Sequence, residues 1–393
     1  MNYDFDQIID RRRTNSIKWL KYPADVLPLW VADMDFPAPE PVLSALREAV
    51  GHGIFGYEFP SRELCETVAG RMEKLYGWKV APEMVAATPG VVAGFNVAAR
   101  TVCTEGQGVL VQPPVYPPFL SVHKFSNLVR QESPQKVKAK DGILQYRVDF
   151  GVFEQALNGC NAHTSMFLLC NPHNPTGQVF SREDLVRMAE ICLKNDTVIC
   201  SDEIHSELLL DGAQHIPIAS LSEEIASKTI TLIAPSKTFN IAGLFCGFAI
   251  IPNPELMRRY KMTADQMSMH VNNLGLAGAK AAFSGECDEW LKGLRIYLTG
   301  NRDFLLEYVK KELKGIQLTI PEATYLAWLD CNEPIRAGKI HGSAFDFFLK
   351  EAKVALNEGG EFGPGGEGCV RLNFGCPRKT LTDALERMKA ALT

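Results

Sequence analysis

The stretch Ser165–Asp202, SMFLLCNPHNPTGQVFSREDLVRMAEICLKNDTVICSD, reads as strand, turn, helix and strand. Ser165–Cys170 and Val198–Ser201 are near-continuous apolar runs of strand length, the pattern of strands covered on both faces. Ser181, with Asp184 three residues on, opens the helix expected over Arg182–Lys194. The same texture extends outward in both directions. Met84–Thr88, Val109–Gln112, Thr229–Ala234 and Phe245–Ile251 are further strand candidates, and Val91–Val102 is a further helix. Strands alternating with helices in this way argue for an α/β fold on a mostly parallel sheet, which holds ligands at the carboxyl ends of its strands.

The texture changes after about residue 285. Glu286–Lys314 carries a long, charged amphipathic helix pattern. Leu318–Ile320, Tyr325–Leu329, a helix over Ser343–Lys353, the strand Cys369–Phe374 and a last helix Leu381–Leu392 follow it. This reads as a smaller α+β unit. The opening segment, with PLWVADMDFPAPEPV at Pro28–Val42, is extended and proline-dotted until Glu40 and Pro41 start a helix. The expected division is a large domain over 46–284 and a small domain from 1–45 and 285–393. Glu358–Gly368, EGGEFGPGGEG, is the one compositional oddity. Its glycines lack dinucleotide-binding spacing, and it reads as a flexible surface connection.

Composition narrows the function classes. The 393 residues are 46% hydrophobic and 22% charged, values of a globular chain able to bury a large core without staples. Lys plus Arg number 41 against 46 for Asp plus Glu, which gives no reason to expect nucleic acid or an anionic membrane surface. No run approaches the ~18 apolar residues of a membrane span. The opening MNYDFDQIIDRRRTNSIKWLKYP is charged throughout and reads as no signal peptide. Eleven cysteines form no C-x-x-C pair, and several lie in apolar runs, as expected of buried thiols in a reducing cytoplasm.

Five features carry chemistry. Lys237, in Ala234–Asn240 directly after an apolar strand, is either a lysine that snorkels to water or one whose lowered pKa makes it a nucleophile or Schiff-base donor. Asp202 ends another strand and could act as a base, hold a metal or pair with a cationic ring nitrogen. Asp202, His205 and Glu207 do not complete a metal site, so no metal is expected. Asn171–Gly177, NPHNPTG, is a fixed turn, either structural or holding the Asn174 amide against a ligand. Thr88–Gly94 joins a strand to a helix through Gly90, a candidate anion site. Arg371, flanked by apolar residues, implies an anionic partner, a carboxylate held bidentately.

The order of these features resembles the fold-type I pyridoxal phosphate (PLP) enzymes of the aspartate aminotransferase superfamily, over nearly the whole chain. PLWVADMDFP, the tyrosine of FGYEFP, PPVYPPF, NPHNPTG, SDEIHSELLL and APSKTFNIAGL are similar to the carbon–sulfur lyase branch, the cystathionine β-lyases of MalY/PatB type. The resemblance implies that Lys237 is the Schiff-base lysine and proton shuttle. Asp202 would pair with the pyridine nitrogen, Asn174 would bond the ring oxygen, and Tyr116 would stack on the ring. The amides of Gly90, Val91 and Val92, with Ser236, would hold the phosphate. Tyr57 would reach that phosphate from the other subunit of a homodimer. Arg371 would bind the substrate carboxylate, with Asn174 beside it and Trp30–Asp33, Ala32 among them, closing over it.

Three positions depart from the aminotransferase pattern. His205 replaces a tyrosine, as in the lyase branch. Phe245 replaces a phosphate-gripping arginine, and Ala234 replaces a serine. The implied activity is α,β-elimination from cystathionine or a related S-substituted cysteine. An aminotransferase of the same fold is the alternative. A regulatory protein using this fold is a third reading, with no appended interaction domain to support it.

Overall fold

A computed structural model describes residues 3–158 and 162–393. Its central sheet has seven strands, in the spatial order Val85–Thr88, Gly247–Ile250, Thr229–Ile233, Val198–Asp202, Thr164–Cys170, Gly108–Val111 and Val129–Glu132. All neighbours pair in parallel except Gly247–Ile250, which runs antiparallel to both strands beside it. This is the mixed, mostly parallel sheet expected of an α/β fold.

Side-chain alternation explains why the strands are apolar throughout. Along Thr164–Cys170, Met166, Leu168 and Cys170 join an apolar cluster with Phe95, Ala98, Val109 and Cys200. Phe167 and Leu169 point the other way, into a cluster with Leu110, Leu185, Met188 and Ile199. The helix Val91–Val102 covers the first face and Arg182–Lys194 the second. Each wholly buried side chain of this kind contributes roughly 1.5–3 kcal/mol. Ser181 caps the second helix as expected, accepting from Asp184 N at 3.1 Å.

A second sheet of six strands runs Asn357–Glu358, Cys369–Asn373, Leu326–Asp330, Gln317–Thr319, Ile143–Arg147 and Lys136–Lys140. The last two form a hairpin through Asp141 and Gly142, both at positive φ (53° and 80°). That hairpin lies within the 46–284 stretch yet pairs with the second sheet through Ile143–Leu144 against Leu318–Thr319. The opening segment is tied to the same part of the molecule, Leu27–Pro28 pairing in parallel with Val354–Ala355. Asp288–Glu312 is the long helix, and Ala344–Lys350 starts from a Ser343 cap.

The loop at Glu358–Gly368 corrects the sequence expectation of a flexible surface connection. Gly359, Phe362 and Gly366 are buried, and a Cβ on Gly359 would lie 2.2 Å from the Gly366 carbonyl oxygen. The glycines serve close backbone approach rather than freedom. Of the ten described cysteines, nine are buried and Cys65 is half-buried, all as free thiols.

Candidate active site

Five connections leave the carboxyl edge of the central sheet and converge on one cavity of about 230 Å³. Its walls include Ala32, Gly90, Val91, Val92, Tyr116, Asn174, Asp202, His205, Ser236 and Lys237. Ten of the twelve site residues named from the sequence therefore meet in one place. Arg371 stands behind Asn174 and bonds it. Tyr57 lies on a wholly exposed segment, outside the cavity. Four larger surface clefts, of about 480, 260, 740 and 570 Å³, are lined by charged residues that are all exposed.

Lys237 sits in the single helical turn Pro235–Thr238 that follows Thr229–Ile233. Its Nζ donates to the Ala32 carbonyl at 2.6 Å. Burial lowers its pKa to about 8, and the Arg371 charge adds to the shift. The amine thus does not snorkel; it is held inside and is easily deprotonated.

Asp202, the last residue of its strand, accepts from Ile204 N at 3.1 Å. Burial raises its carboxyl to about 7, with Glu203 adding to the rise, so it calls for a cationic partner in the cavity. His205 is buried, and desolvation lowers its pKa to about 3, so its ring is neutral. Its Nδ1 finds no protein partner among the described residues. Glu207, the third candidate metal ligand, turns away onto Arg71 at 2.5 Å.

Asn174 emerges from the turn after Thr164–Cys170, and its main-chain oxygen accepts from Tyr116 N at 3.1 Å. Its side-chain oxygen accepts from Arg371 Nη1 at 3.0 Å, which leaves the amide N–H groups for a ligand. Tyr116 follows Gly108–Val111, and burial raises its hydroxyl above the usual range. Gly90 caps Val91–Val102 at φ 107° and ψ 162°, a conformation that strains any side-chain-bearing residue. Val91 and Val92, in the first turn beyond it, line the cavity, and first-turn amides have no helical acceptors.

Arg371 lies on Cys369–Asn373, inside the second sheet. Its Nη2 donates to Trp30 O at 3.0 Å and to Asn357 Oδ1 at 2.6 Å. Burial lowers its pKa to about 10, so it stays charged at neutral pH. Phe245, at φ 48°, stands at the cavity mouth with its ring largely exposed. No guanidinium lines the phosphate side of the cavity among the described residues.

Several residues absent from the sequence reading hold the Trp30–Phe36 segment over the site. Tyr325 OH donates to Ala32 O at 2.9 Å, sharing the acceptor of Lys237. Asn240 bonds Met34 N, Met34 O and Phe36 O. Buried Lys18 donates to Asp33 O and to Asp35 at 2.8 Å. Asn240 stands three residues after Lys237 and could have been noticed there. Lys18 and Tyr325 carry no such local signal.

A large α/β sheet with a half-buried lysine, a carboxylate and an asparagine at its strand ends, faced by an arginine from a second sheet, defines an enzyme of the aminotransferase fold. The chain belongs to the aminotransferase class I and II family, whose profile it matches over residues 24–388. Within it, the chain is 41% identical to the cystathionine beta-lyase PatB of Bacillus subtilis, over 99% of this chain and 100% of that one. It is 34% identical to a cystathionine beta-lyase of Corynebacterium glutamicum, covering 99% and 100%. A solved PLP-bound C-S lyase from Staphylococcus hominis superposes with a TM-score of 0.92 at 34% identity, over 100% of this chain and 99% of that one.

Proposed function

We propose that the protein is a pyridoxal phosphate-dependent carbon–sulfur lyase that cleaves L-cystathionine or a related S-substituted cysteine to a thiol, pyruvate and ammonia. The observation that carries this reading is the pairing of a half-buried, deprotonatable Lys237 with a buried Asp202 carboxyl across one cavity, in a chain 41% identical to PatB.

The donor set fits the cofactor. Lys237 offers an amine to its aldehyde carbon. Asp202 offers a carboxylate to its ring nitrogen, and Asn174 an amide to its ring oxygen. Gly90, Val91, Val92 and Ser236 offer N–H and O–H donors to its phosphate, and the orphaned Nδ1 of His205 marks an unfilled polar demand in the same wall. When bound, the cofactor supplies an electron sink for the pair left at Cα. Arg371 holds the substrate carboxylate and so fixes the orientation of Cα. Lys237 Nζ, kept on Ala32 O through one N–H, takes the Cα proton with its free lone pair. Asp202 keeps the ring nitrogen protonated. Tyr116, protonated at neutral pH, stands in the wall as a proton source for the departing sulfur.

The subunits act as a homodimer in this reading. The exposed apolar run Ile54, Phe55, Tyr57 and Phe59 supports a covered face, and Tyr57 would reach the phosphate of the neighbouring site, where Phe245 offers no charge. The PLP-binding domain is read as 46–284 and the small domain as 1–45 with 285–393, the Lys136–Arg147 hairpin crossing between them. No described helix is long and apolar enough to cross a membrane. The buried free thiols support a reducing, cytoplasmic setting.

The reading is tested by incubating purified holoenzyme with cystathionine and following pyruvate and free thiol. A second expectation concerns pH. Nζ attacks an aldehyde only when neutral, and it is protonated below about 8. The rate at which apoprotein takes up pyridoxal phosphate, followed by absorbance, should therefore rise with pH and level off above about 8. A rate that keeps rising through pH 10, as for a lysine at its ordinary 10.5, would contradict a lowered amine.

A further inference from the structure

The glycine-rich loop has no part in the chemistry above, yet it is built against the carboxylate end of the site. Phe362 is wholly buried, with its ring 5.1 Å from the Arg371 guanidinium carbon and 5.1 Å from the Trp328 ring. Its carbonyl accepts from Val115 N at 2.9 Å, one residue before Tyr116. Asn357, just before the loop, accepts from Arg371 Nη2 at 2.6 Å. The loop closes on itself tightly: a Cβ on Gly366 would lie 2.0 Å from the Gly359 carbonyl oxygen. Any side chain there would displace the turn that seats Phe362.

An arginine side chain has many rotamers, and a guanidinium must present its plane to a carboxylate. Here an aromatic face and three acceptors, Asn174 Oδ1, Trp30 O and Asn357 Oδ1, hold that plane before any ligand arrives. The Nε–H group is left buried without a protein acceptor among the described residues, a charged donor for a ligand to satisfy.

We propose that Phe362 and Asn357 are positioning residues for carboxylate recognition, the loop fixing the Arg371 plane and tying it through Val115 to the Tyr116 segment. The inference rests on the reading of Arg371 as the partner of the substrate carboxylate. It separates carboxylate selectivity from cofactor binding, because the loop touches neither Lys237 nor Asp202 through any of these contacts.

Phe362→Leu removes the ring face while keeping an apolar side chain, and Asn357→Ala removes the second hold at a half-buried position. L-Alanine and ethylamine share an amine and differ in the carboxylate, so holoenzyme is titrated with each, following cofactor absorbance. Each variant should lose about tenfold in affinity for alanine and nothing for ethylamine, consistent with one desolvated cation–π contact or charged hydrogen bond. The apparent Kd for the cofactor should stay unchanged. Equal losses for both ligands, or an alanine-to-ethylamine ratio unaltered in both variants, would overturn the proposal. A wild-type enzyme that binds the two ligands alike would remove the reading of Arg371 and this inference together. A wild-type preference left intact by both variants removes this inference alone.

Discussion

Replacing Lys237 with alanine is expected to lower pyruvate release by on the order of 10⁴-fold, with the fold retained. In the proposed function the side chain serves twice, as the amine that would take the cofactor aldehyde and as the base at Cα, and positioned proton transfer alone accounts for about 10²–10⁴. No second amine lines the cavity among the described residues, so no neighbour inherits the role. His205 is a poor substitute, because burial holds its pKa near 3. The fold should persist, since Ala32 O keeps its bond from Tyr325. The check is a single-turnover assay for pyruvate beside a thermal melt of the variant. Undiminished release from a folded Lys237→Ala protein would show that another group takes the proton.

Asp202→Asn should act in opposite directions on function and on apoprotein stability. In the proposed holoenzyme the carboxylate would pair with the cationic ring nitrogen. Removing one member of such a buried pair costs about 3–5 kcal/mol, or roughly 10²–10⁴ in turnover and cofactor affinity. In the apoprotein the carboxyl has no such partner, and its pKa stands at about 7 against an ordinary 3.8. A raised carboxyl pKa means that the folded state binds the extra proton between those values. This group therefore penalises folding increasingly as pH rises from about 4 to 7, and the penalty is complete above 7. The uncharged amide avoids it. Asp202→Asn apoprotein should melt at a higher temperature than wild type at pH 8, and the difference should shrink as pH falls toward 4. Calorimetry at the two pH values, with cofactor titration, reads both signs. A variant that melts lower than wild type at pH 8 would contradict an unpartnered buried carboxylate.

The central sheet was legible because burial on both faces forces continuous apolar runs. Thr164–Cys170, Val198–Asp202 and Thr229–Ile233 could hardly be anything else. Asn174, Asp202 and Lys237 stood out by position, each at or within four residues of the end of such a run, whereas Ala32, Tyr116 and Ser236 came only with the family resemblance. The Lys136–Arg147 hairpin was missed, although Asp141-Gly142 is a strong turn signal, because its outer strand is exposed throughout and too polar to stand out. The Glu358–Gly368 loop was misread because glycine content signals either freedom or close approach, and only the packing of Gly359 against Gly366 distinguishes them. The strap over the site was invisible for a different reason. Asn240 and Tyr325 reach Met34 and Ala32 across more than 200 residues of chain, and local pattern carries no information at that separation.

Elimination and transamination share the loss of the Cα proton, in the proposed site to Lys237, and part afterwards, on whether sulfur leaves Cβ or the amino group is passed to a keto acid. The most direct test is therefore the stoichiometry of pyruvate and thiol from cystathionine, with the purified holoenzyme and no added keto acid. A lyase releases the two in equal amounts from the first turnover onward. Product that forms only after a keto acid is supplied would contradict the lyase reading and assign the site to amino transfer.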